Sequence, residues 1–538
     1  MKSLSLKEEQ SWLSWFLRGI LLLGTFVLVA RLFELQVIKG DYYRGLSDGN
    51  RVRKITIGAP RGRIMARGGE VLVGNKDVYK KLVLTGDGGY QKVEVGTDFP
   101  EAIVESKRFY PLGGGAAHVT GYVGEVTSDE LGKVEPGCSD KGPLVSAGWT
   151  GRSGLEQTSN CRLRGTDGEE LIEVDTFGNK VRLLGRKPAR RGADITTTID
   201  YGLQKKAAGL LTDSIGSIIA TDIHGQVLAL YSSPSYDPNL FADPKKENET
   251  RLEGILRDQS FPLFNRVVGG LYHPGSTFKI VTSIAALEEG KIDKDYIYED
   301  TGAIVVNNFE YTNWYFTQYG AVEGKIGLTR AIARSTDTFF YKIGEAVGVD
   351  KLAEWARKFG LGSKSGIDLE GEVQGLVPDP KWKLEVKGER WFLGNTYHMS
   401  IGQGDLAVTP LAVNQVTSVI ATGGRLCAPY LVQDSRGENC TDMGIDRKNI
   451  DLVKQGLIQA CQPGGTAYPF FDYKPQVACK TGTAETSLLG MPHAWFTVFA
   501  PADDPEIIVT VLVENGGEGS SVAAPVAKEL LEFYFGRK

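Results

Sequence analysis

The chain has 538 residues, a formal net charge of −5, and 41% hydrophobic and 24% charged residues. That is enough for roughly three or four domains and a sizeable core. The acidic balance leaves no basic footprint for nucleic acid, and the absence of a long low-complexity tract speaks against extended disorder.

In chain order, the segment Trp12 to Ala30 is apolar apart from Arg18 and reads as one membrane-spanning helix. Its length approaches the roughly 20 residues that a bilayer requires, and Arg18 is near enough to one end to snorkel. Arg31 follows directly and no small-x-small cleavage site stands out, which favours an anchor over a cleaved signal peptide. Lys2, Lys7 and Arg18 on one side face Arg31, Lys39 and Arg44 on the other, so charge alone sets no orientation. Residues of about 45 to 190 then form a Gly-rich, β-rich region without long helical patterns. Gly45-Leu-Ser47-Asp-Gly49 fits the G-x-S-x-G pattern of hydrolase elbows, but without a strand–turn–helix context it reads as a chance match.

A new pattern starts near Gly192. Gly216 to Leu230 reads as two alternating strands around a turn at Asp222 to Gly225, a hairpin signal. A long helical stretch follows, and it opens on His273-Pro-Gly-Ser276-Thr-Phe-Lys279. Pro274 and Gly275 sit where a helix begins, and residues three apart share a helical face. The Ser276 hydroxyl and Lys279 amine should therefore meet at a helix N-terminus, where a buried amine can take a serine proton and the dipole favours developing negative charge. Alone, Ser-x-x-Lys at a helix start is more often an N-cap beside a solvated lysine. Two further elements downstream reverse that balance: Ser335-Thr336-Asp337, then Lys480-Thr481-Gly482-Thr483. His493 to Ala500 and Glu506 to Val513 read as strands, and Val522 to Phe535 as a closing helix. Two strands, many helices, then three strands and a helix make an α+β pattern, an antiparallel sheet covered by helices.

This triple set resembles the penicillin-interacting serine transpeptidases, and further motifs extend the resemblance to class B penicillin-binding proteins over nearly the whole chain. They are Arg31-Leu-Phe-Glu-Leu-Gln36, Asn50-Arg51, Pro60-Arg-Gly62, Arg108-Phe-Tyr-Pro111, Gly154-Leu-Glu156, Thr198-Ile-Asp200, Pro234 to Asn239, Gly402-Gln-Gly404 and Thr409-Pro410. The resemblance implies a transpeptidase domain over 191–538 and a β-rich pedestal of the dimerisation type over 39–190. Before them it implies a transmembrane anchor with juxtamembrane helix over 12–38 and a cytoplasmic N-terminus over 1–11. The pedestal looks trimmed, since only Arg63 to Lys107 separates two of its motifs, and Met65-Ala-Arg-Gly-Gly69 replaces the usual Asp-Arg-x-Gly. It further implies a bacterial plasma-membrane protein with its catalytic domain outside.

Roles follow by the same resemblance. Ser276 would attack a D-Ala-D-Ala stem peptide, with Lys279 as base and Ser335 relaying a proton to the leaving amine. Lys480, Thr481 and Thr483 would hold the substrate or β-lactam carboxylate, and Gly482 belongs to the same element. Backbone N–H groups of Ser276 and Thr483 would form the oxyanion hole. Asp337 departs from the commoner Asn, and ionised Asp only accepts hydrogen bonds. Close to Lys279 it would hold an ammonium and oppose a base role. The expectation is therefore that Asp337 leans toward Lys480 or the substrate. Asp337, Gly348-Val-Asp350 and Gly366-Ile-Asp-Leu369 favour an elongation-type member over a division-type one.

No cofactor is implied. No metal is expected either, because the five histidines are dispersed and no Cys or His occurs from Phe278 through Tyr397. His273 reads as a packing or capping residue. Six cysteines allow up to three disulfides; Cys427 with Cys440 and Cys461 with Cys479 are the first pairs expected, against six buried thiols. The expected partners are peptidoglycan stem peptides, β-lactams and a membrane-embedded glycosyltransferase, since the N-terminal region is too short to polymerise glycan. Two other classes fit less well. One is a β-lactam hydrolase or sensor, which would lack this pedestal or carry several spans; the other is a catalytically weak scaffold, which the intact motifs oppose.

Overall fold

A computed structural model of the chain describes every residue except 1–11, 85–89, 98, 100, 101, 147, 176–179, 244, 245, 435–438, 487–489 and 538. The expected cytoplasmic segment 1–11 lies outside the described residues. Helix α1 spans Trp12–Phe33 and continues as a π-helical turn over Glu34–Ile38. The whole Trp12–Ile38 stretch is long and apolar enough to cross a membrane, and none of α1 is buried against protein.

The chain divides into two compact units. The first takes the residues up to Ala59, with Val78–Glu105 and Thr166–Arg190; the second takes Pro60–Asp77, Ser106–Gly165 and Arg191–Lys538. The division is discontinuous, whereas a pedestal of 39–190 and a catalytic domain of 191–538 are contiguous blocks. In the first unit, Val52–Ile57, Gly168–Val174 and Lys180–Lys187 form an antiparallel sheet with Gly168–Val174 at its centre.

Within the second unit, three of the sequence motifs converge on one buried ion cluster. Arg61 of Pro-Arg-Gly and Arg108 of Arg-Phe-Tyr-Pro both reach Glu156 of Gly-Leu-Glu, which is fully buried. Arg61 Nη2 and Nε lie 2.8 and 3.0 Å from Glu156 Oε2, and Arg108 Nε lies 2.5 Å from Oε1. Arg61 Nη2 also donates to Asn160 Oδ1 at 2.8 Å. The two guanidiniums thereby pair the buried carboxylate, as a buried charge requires, and Arg108 Nη1 donates to Asn75 Oδ1 at 3.1 Å.

The catalytic part of this unit follows the expected order. Strands β1 (Gly216–Thr221) and β2 (Val227–Ser233) form the hairpin. Asp222 Oδ1 accepts from the His224 and Gln226 backbone N–H groups at 2.9 and 2.8 Å, the Asx geometry that makes Asp a turn former. Helices α2 (Lys279–Glu288), α3 (Asp337–Val347), α4 (Pro410–Ala421) and α5 (Arg447–Ala460) come next. Then come strands β3 (Ala478–Ala484), β4 (His493–Ala500) and β5 (Ile507–Val513), and helix α6 (Ala523–Gly536) ends the fold.

The five strands lie in the order β2-β1-β5-β4-β3, with all pairings antiparallel. Every residue of β5 is buried, because helices cover both faces. Ile508 and Leu512 join the cluster that holds α2, while Ile507, Val509 and Val511 join the one that holds α6. At roughly 1.5–3 kcal/mol for each large apolar side chain buried, this double cover makes the sheet a rigid base. Strand β3 closes one edge, and its alternation decides what faces what. Ala478 and Ala484 pack on the α2 side, whereas Cys479 packs on the α6 side, and Lys480 points the way its even-numbered neighbours do.

Candidate active site

The nucleophile turn is a 3₁₀ turn, Gly275–Phe278, feeding directly into α2 at Lys279. In 3₁₀ geometry residues i and i+3 eclipse, which sets Ser276 and Lys279 on one side of the turn, while the Lys279 amine hydrogen-bonds to Ser335 and Asp337. Two glycines make this approach possible. Gly275 has φ +54, and a Cβ there would come within 2.9 Å of the Thr483 carbonyl oxygen. Gly402 has φ +77, and a Cβ there would meet the Gly275 carbonyl at 2.1 Å. The turn thus rests backbone to backbone on β3. The buried Trp495 indole donates to the His273 carbonyl at 3.0 Å. His273 Nδ1 lies 2.6 Å from the Leu406 carbonyl oxygen, which can only accept, so this nitrogen carries the proton and the ring braces the turn.

Ser335 occupies the junction between helix Leu328–Arg334 and α3, at φ 57 and ψ 38. A left-handed conformation is uncommon for a non-glycine residue, and such residues concentrate at functional sites. Here it aims both the carbonyl and the hydroxyl of Ser335 at Lys279. Lys279 Nζ reaches Ser335 O at 2.8 Å, Ser335 Oγ at 3.1 Å and Asp337 Oδ1 at 2.7 Å. From β3, Lys480 Nζ reaches the same Ser335 Oγ at 2.8 Å and the Thr481 carbonyl at 3.1 Å. One hydroxyl therefore bridges two fully buried amines. Helices and an edge strand far apart in sequence deliver all three motifs to one point.

Residues 216–532 match the penicillin binding protein transpeptidase domain, and residues 97–197 match the penicillin-binding protein dimerisation domain. The chain belongs to the penicillin-binding protein transpeptidases. It is 31% identical to the peptidoglycan D,D-transpeptidase MrdA of Acinetobacter baumannii, over 97% of this chain and 87% of that protein. Penicillin-binding protein 2 of Helicobacter pylori, solved in complex with MreC, has TM-score 0.77 and 27% identity, covering 90% of this chain and 99% of that one. A chain from a peptidoglycan synthase complex that coordinates polymerization and crosslinking has TM-score 0.77 and 30% identity, covering 97% and 98%.

The electrostatics of this penicillin-binding protein separate the two lysines. Burial lowers Lys279 below the ordinary lysine range, while the charge and hydrogen bond of Asp337 pull it back up. Burial pushes Lys480 much further down, the Lys279 charge adds to the effect, and Asp337 opposes it. Lys480 is thus the more readily neutral of the pair, and the three acceptors around Lys279 Nζ favour the ammonium form there.

That arrangement corrects the expected placement of Asp337. Its carboxylate leans on Lys279, not on Lys480 or toward the substrate. The reason lies in residues that sequence reasoning missed. The Trp314 backbone N–H donates to Asp337 Oδ2 at 3.2 Å, and the buried Asn313 accepts from the Asp337 backbone N–H at 3.3 Å. Asn313 in turn donates to the buried Asp300 at 3.2 Å, which also accepts from Thr338 Oγ1 at 2.6 Å. The segment between the first two motifs therefore clamps Asp337 in place. Nothing in its local pattern marks Asn313, because both partners are distant in sequence.

On β3, Thr481 Oγ1 lies 2.9 Å from Thr466 Oγ1. Gly482 passes so close to Trp495 and Thr277 that a Cβ would meet them at 2.9 and 3.1 Å. Thr483 Oγ1 donates to Glu518 at 3.0 Å, a contact that no local pattern in the sequence announces. Behind the strand, Cys479 is disulfide-bonded to Cys461 at the end of α5. Cys427 pairs with Cys440, and Cys138 with Cys161. No cysteine is free.

Proposed function

We infer that this penicillin-binding protein is a peptidoglycan D,D-transpeptidase of the elongation type, anchored by α1 and acting through an acyl-enzyme on Ser276. The observation that carries the reading is the hydrogen-bonded chain from Lys279 through Ser335 Oγ to Lys480, at 3.1 and 2.8 Å. It gives one proton two alternative homes. Asp337 holds that proton on Lys279. A stem-peptide carboxylate arriving at Lys480, Thr481 and Thr483 favours an ammonium at Lys480 instead. Two unit charges about 4 Å apart interact by about 4 kcal/mol at an effective dielectric of about 20. That suffices to move a proton between amines whose affinities differ by about a thousandfold.

The proton then passes from Lys279 to Ser335 Oγ as the Ser335 proton passes to Lys480. Neutral Lys279 takes the Ser276 proton while Oγ bonds to the carbonyl carbon of the penultimate D-Ala. Backbone N–H groups of Ser276 and Thr483 hold the developing oxyanion. The C–N bond to the terminal D-Ala breaks, its nitrogen receives the proton, and an ester to Ser276 remains. An amine from a neighbouring stem then attacks the ester carbonyl and loses its proton to the same base; the ester C–O bond breaks, that proton returns to Ser276 Oγ, and the new amide is the cross-link. The substrate strands come from a membrane-embedded glycosyltransferase, a pairing supported by the relative solved in a peptidoglycan synthase complex. The catalytic domain lies outside the plasma membrane, where three disulfides are at home.

Labelling of the detergent-solubilised chain with a fluorescent penicillin, read by intact mass, tests this. A stable adduct is expected on the wild type and none on Ser276→Ala. A wild type that folds but takes no label would overturn the assignment, and rapid turnover of the drug would mark a hydrolase.

A further inference from the structure

Glu518 lies outside all three motifs but touches the third. Its Oε2 accepts the Thr483 hydroxyl at 3.0 Å. A threonine hydroxyl has one proton, and a carboxylate can only accept. Glu518 and the carboxylate of an incoming ligand therefore need the same single proton. The Glu518 side chain is exposed at the surface, yet its backbone is anchored on both sides. Upstream, the Gly517 N–H donates to the Pro492 carbonyl at 2.9 Å, and the Asn515 N–H donates to His493 Nδ1 at 3.0 Å. Downstream, the Ala524 N–H donates to the Gly519 carbonyl at 2.9 Å. Gly519 itself lies so close to β3 and β4 that a Cβ would meet the Trp495 and Gly482 carbonyl oxygens at 2.2 and 2.4 Å. The loop is thus pressed onto the Lys-Thr-Gly strand and delivers a carboxylate to the edge of its ligand-binding end.

We propose that Glu518 is a specificity-determining residue that competes with the ligand carboxylate for the Thr483 hydroxyl and so selects against small anionic acyl donors. This rests on Thr483 holding that carboxylate, as proposed for the transpeptidase reaction. A ligand with a carboxylate must displace Glu518 and then sit beside its negative charge. A full stem peptide offsets this with contacts along its length, whereas a compact β-lactam has fewer to offer. The repulsion acts near solvent, so salt screens it.

The test measures second-order acylation of the detergent-solubilised full chain by benzylpenicillin and by its methyl ester, which lacks the charge. Glu518→Gln should speed acylation by benzylpenicillin about three- to tenfold and change acylation by the ester less than twofold. Glu518→Ala should behave in the same way. In the wild type, raising salt from 50 mM to 500 mM should speed benzylpenicillin acylation, and this salt effect should flatten in both variants. Equal effects on acid and ester, or no salt response in the wild type, would overturn the role of Glu518. Thr483→Val separates the two readings, with an expected loss of at least tenfold toward benzylpenicillin. If Thr483→Val leaves that rate unchanged, the carboxylate role of Thr483 fails and this inference falls with it. If Thr483→Val slows the reaction but Glu518→Gln does nothing, only the Glu518 inference fails.

Discussion

Two buried clusters in the second unit each set two basic side chains around one carboxylate, and use them for opposite ends. Around Glu156, Arg61 and Arg108 form direct ion pairs, Arg61 through two donors to Oε2 and Arg108 through one to Oε1. Around Asp337, only Lys279 pairs directly, and Lys480 is tied in through a hydroxyl. Burial alone would raise the Glu156 carboxyl, but the two guanidiniums hold it below the usual carboxylate range. Arginine does not lose its proton in a protein, so that cluster has a single protonation state and acts as a clasp. Lysine shifts readily on burial, and in the second cluster a hydroxyl links two amines between which a proton can move. What differs is whether a proton can leave.

The sharpest break of that comparison is to make the charges of the lysine cluster permanent. Lys279→Arg makes the positive charge beside Asp337 permanent and Lys480→Arg adds a second permanent charge, and neither guanidinium can pass on a proton. Each should cut acylation by penicillin at least a thousandfold, equivalent to about 4 kcal/mol of barrier, with the protein still folded by circular dichroism. Arginine variants that keep a tenth of the activity would mean that proton exchange between the lysines is not required. The reciprocal exchange, Arg61→Lys, should leave acylation per folded molecule within about twofold.

Removing the carboxylate of the clasp should give the next largest effect. Glu156→Gln leaves two guanidiniums buried without a counter-charge, and stripping one partner from a buried ion pair costs about 3–5 kcal/mol. Chemical denaturation of the solubilised protein should show a loss of that size. A loss below about 1 kcal/mol would mean that water or rearrangement relieves the cluster. A smaller loss, about 1–3 kcal/mol, is expected for Arg108→Lys, which cannot reproduce the planar donor geometry.

The two clusters differ in how legible they are in the amino-acid sequence. Ser276, Lys279, Ser335 and Lys480 each stand in a short motif with fixed spacing, so the proposed site can be named from the sequence alone. The sheet is legible for a similar reason, since alternation and a turn at Asp222–Gly225 are local signals. What escapes is long-range choice between partners. Asp337 is 58 residues from Lys279, and it pairs there because Asn313 and Trp314, in a stretch without motif character, orient it. The left-handed Ser335 is invisible in the sequence, because its φ is imposed by the helices on either side. Two of the three cysteine pairs can be nominated from spacing and proximity to motifs; Cys138 with Cys161 cannot. Thiol counting on the denatured, unreduced chain should find no free thiol, and six after reduction.

The smallest effect is expected at Asp337, whose partner is not the one its motif suggests. Asp337 pulls Lys279 upward against burial, so Asp337→Asn removes that pull and lowers the Lys279 proton affinity further. A group with a lowered pKa loses its proton at lower pH. The rising limb of acylation against pH should therefore move to lower pH in the variant, because neutral Lys279 appears earlier on the scale. At neutral pH two changes oppose each other. The proton leaves Lys279 more easily, but the base that forms is weaker and less well held. The net rate should stay within about tenfold of wild type, which corresponds to no more than about 1.4 kcal/mol. A rising limb that moves to higher pH would show that Asp337 itself supplies the base. A loss of a thousandfold or more would show that the carboxylate holds the geometry of Lys279 and Ser335 and not merely the position of a proton. In that case the two clusters would be more alike than their chemistry indicates.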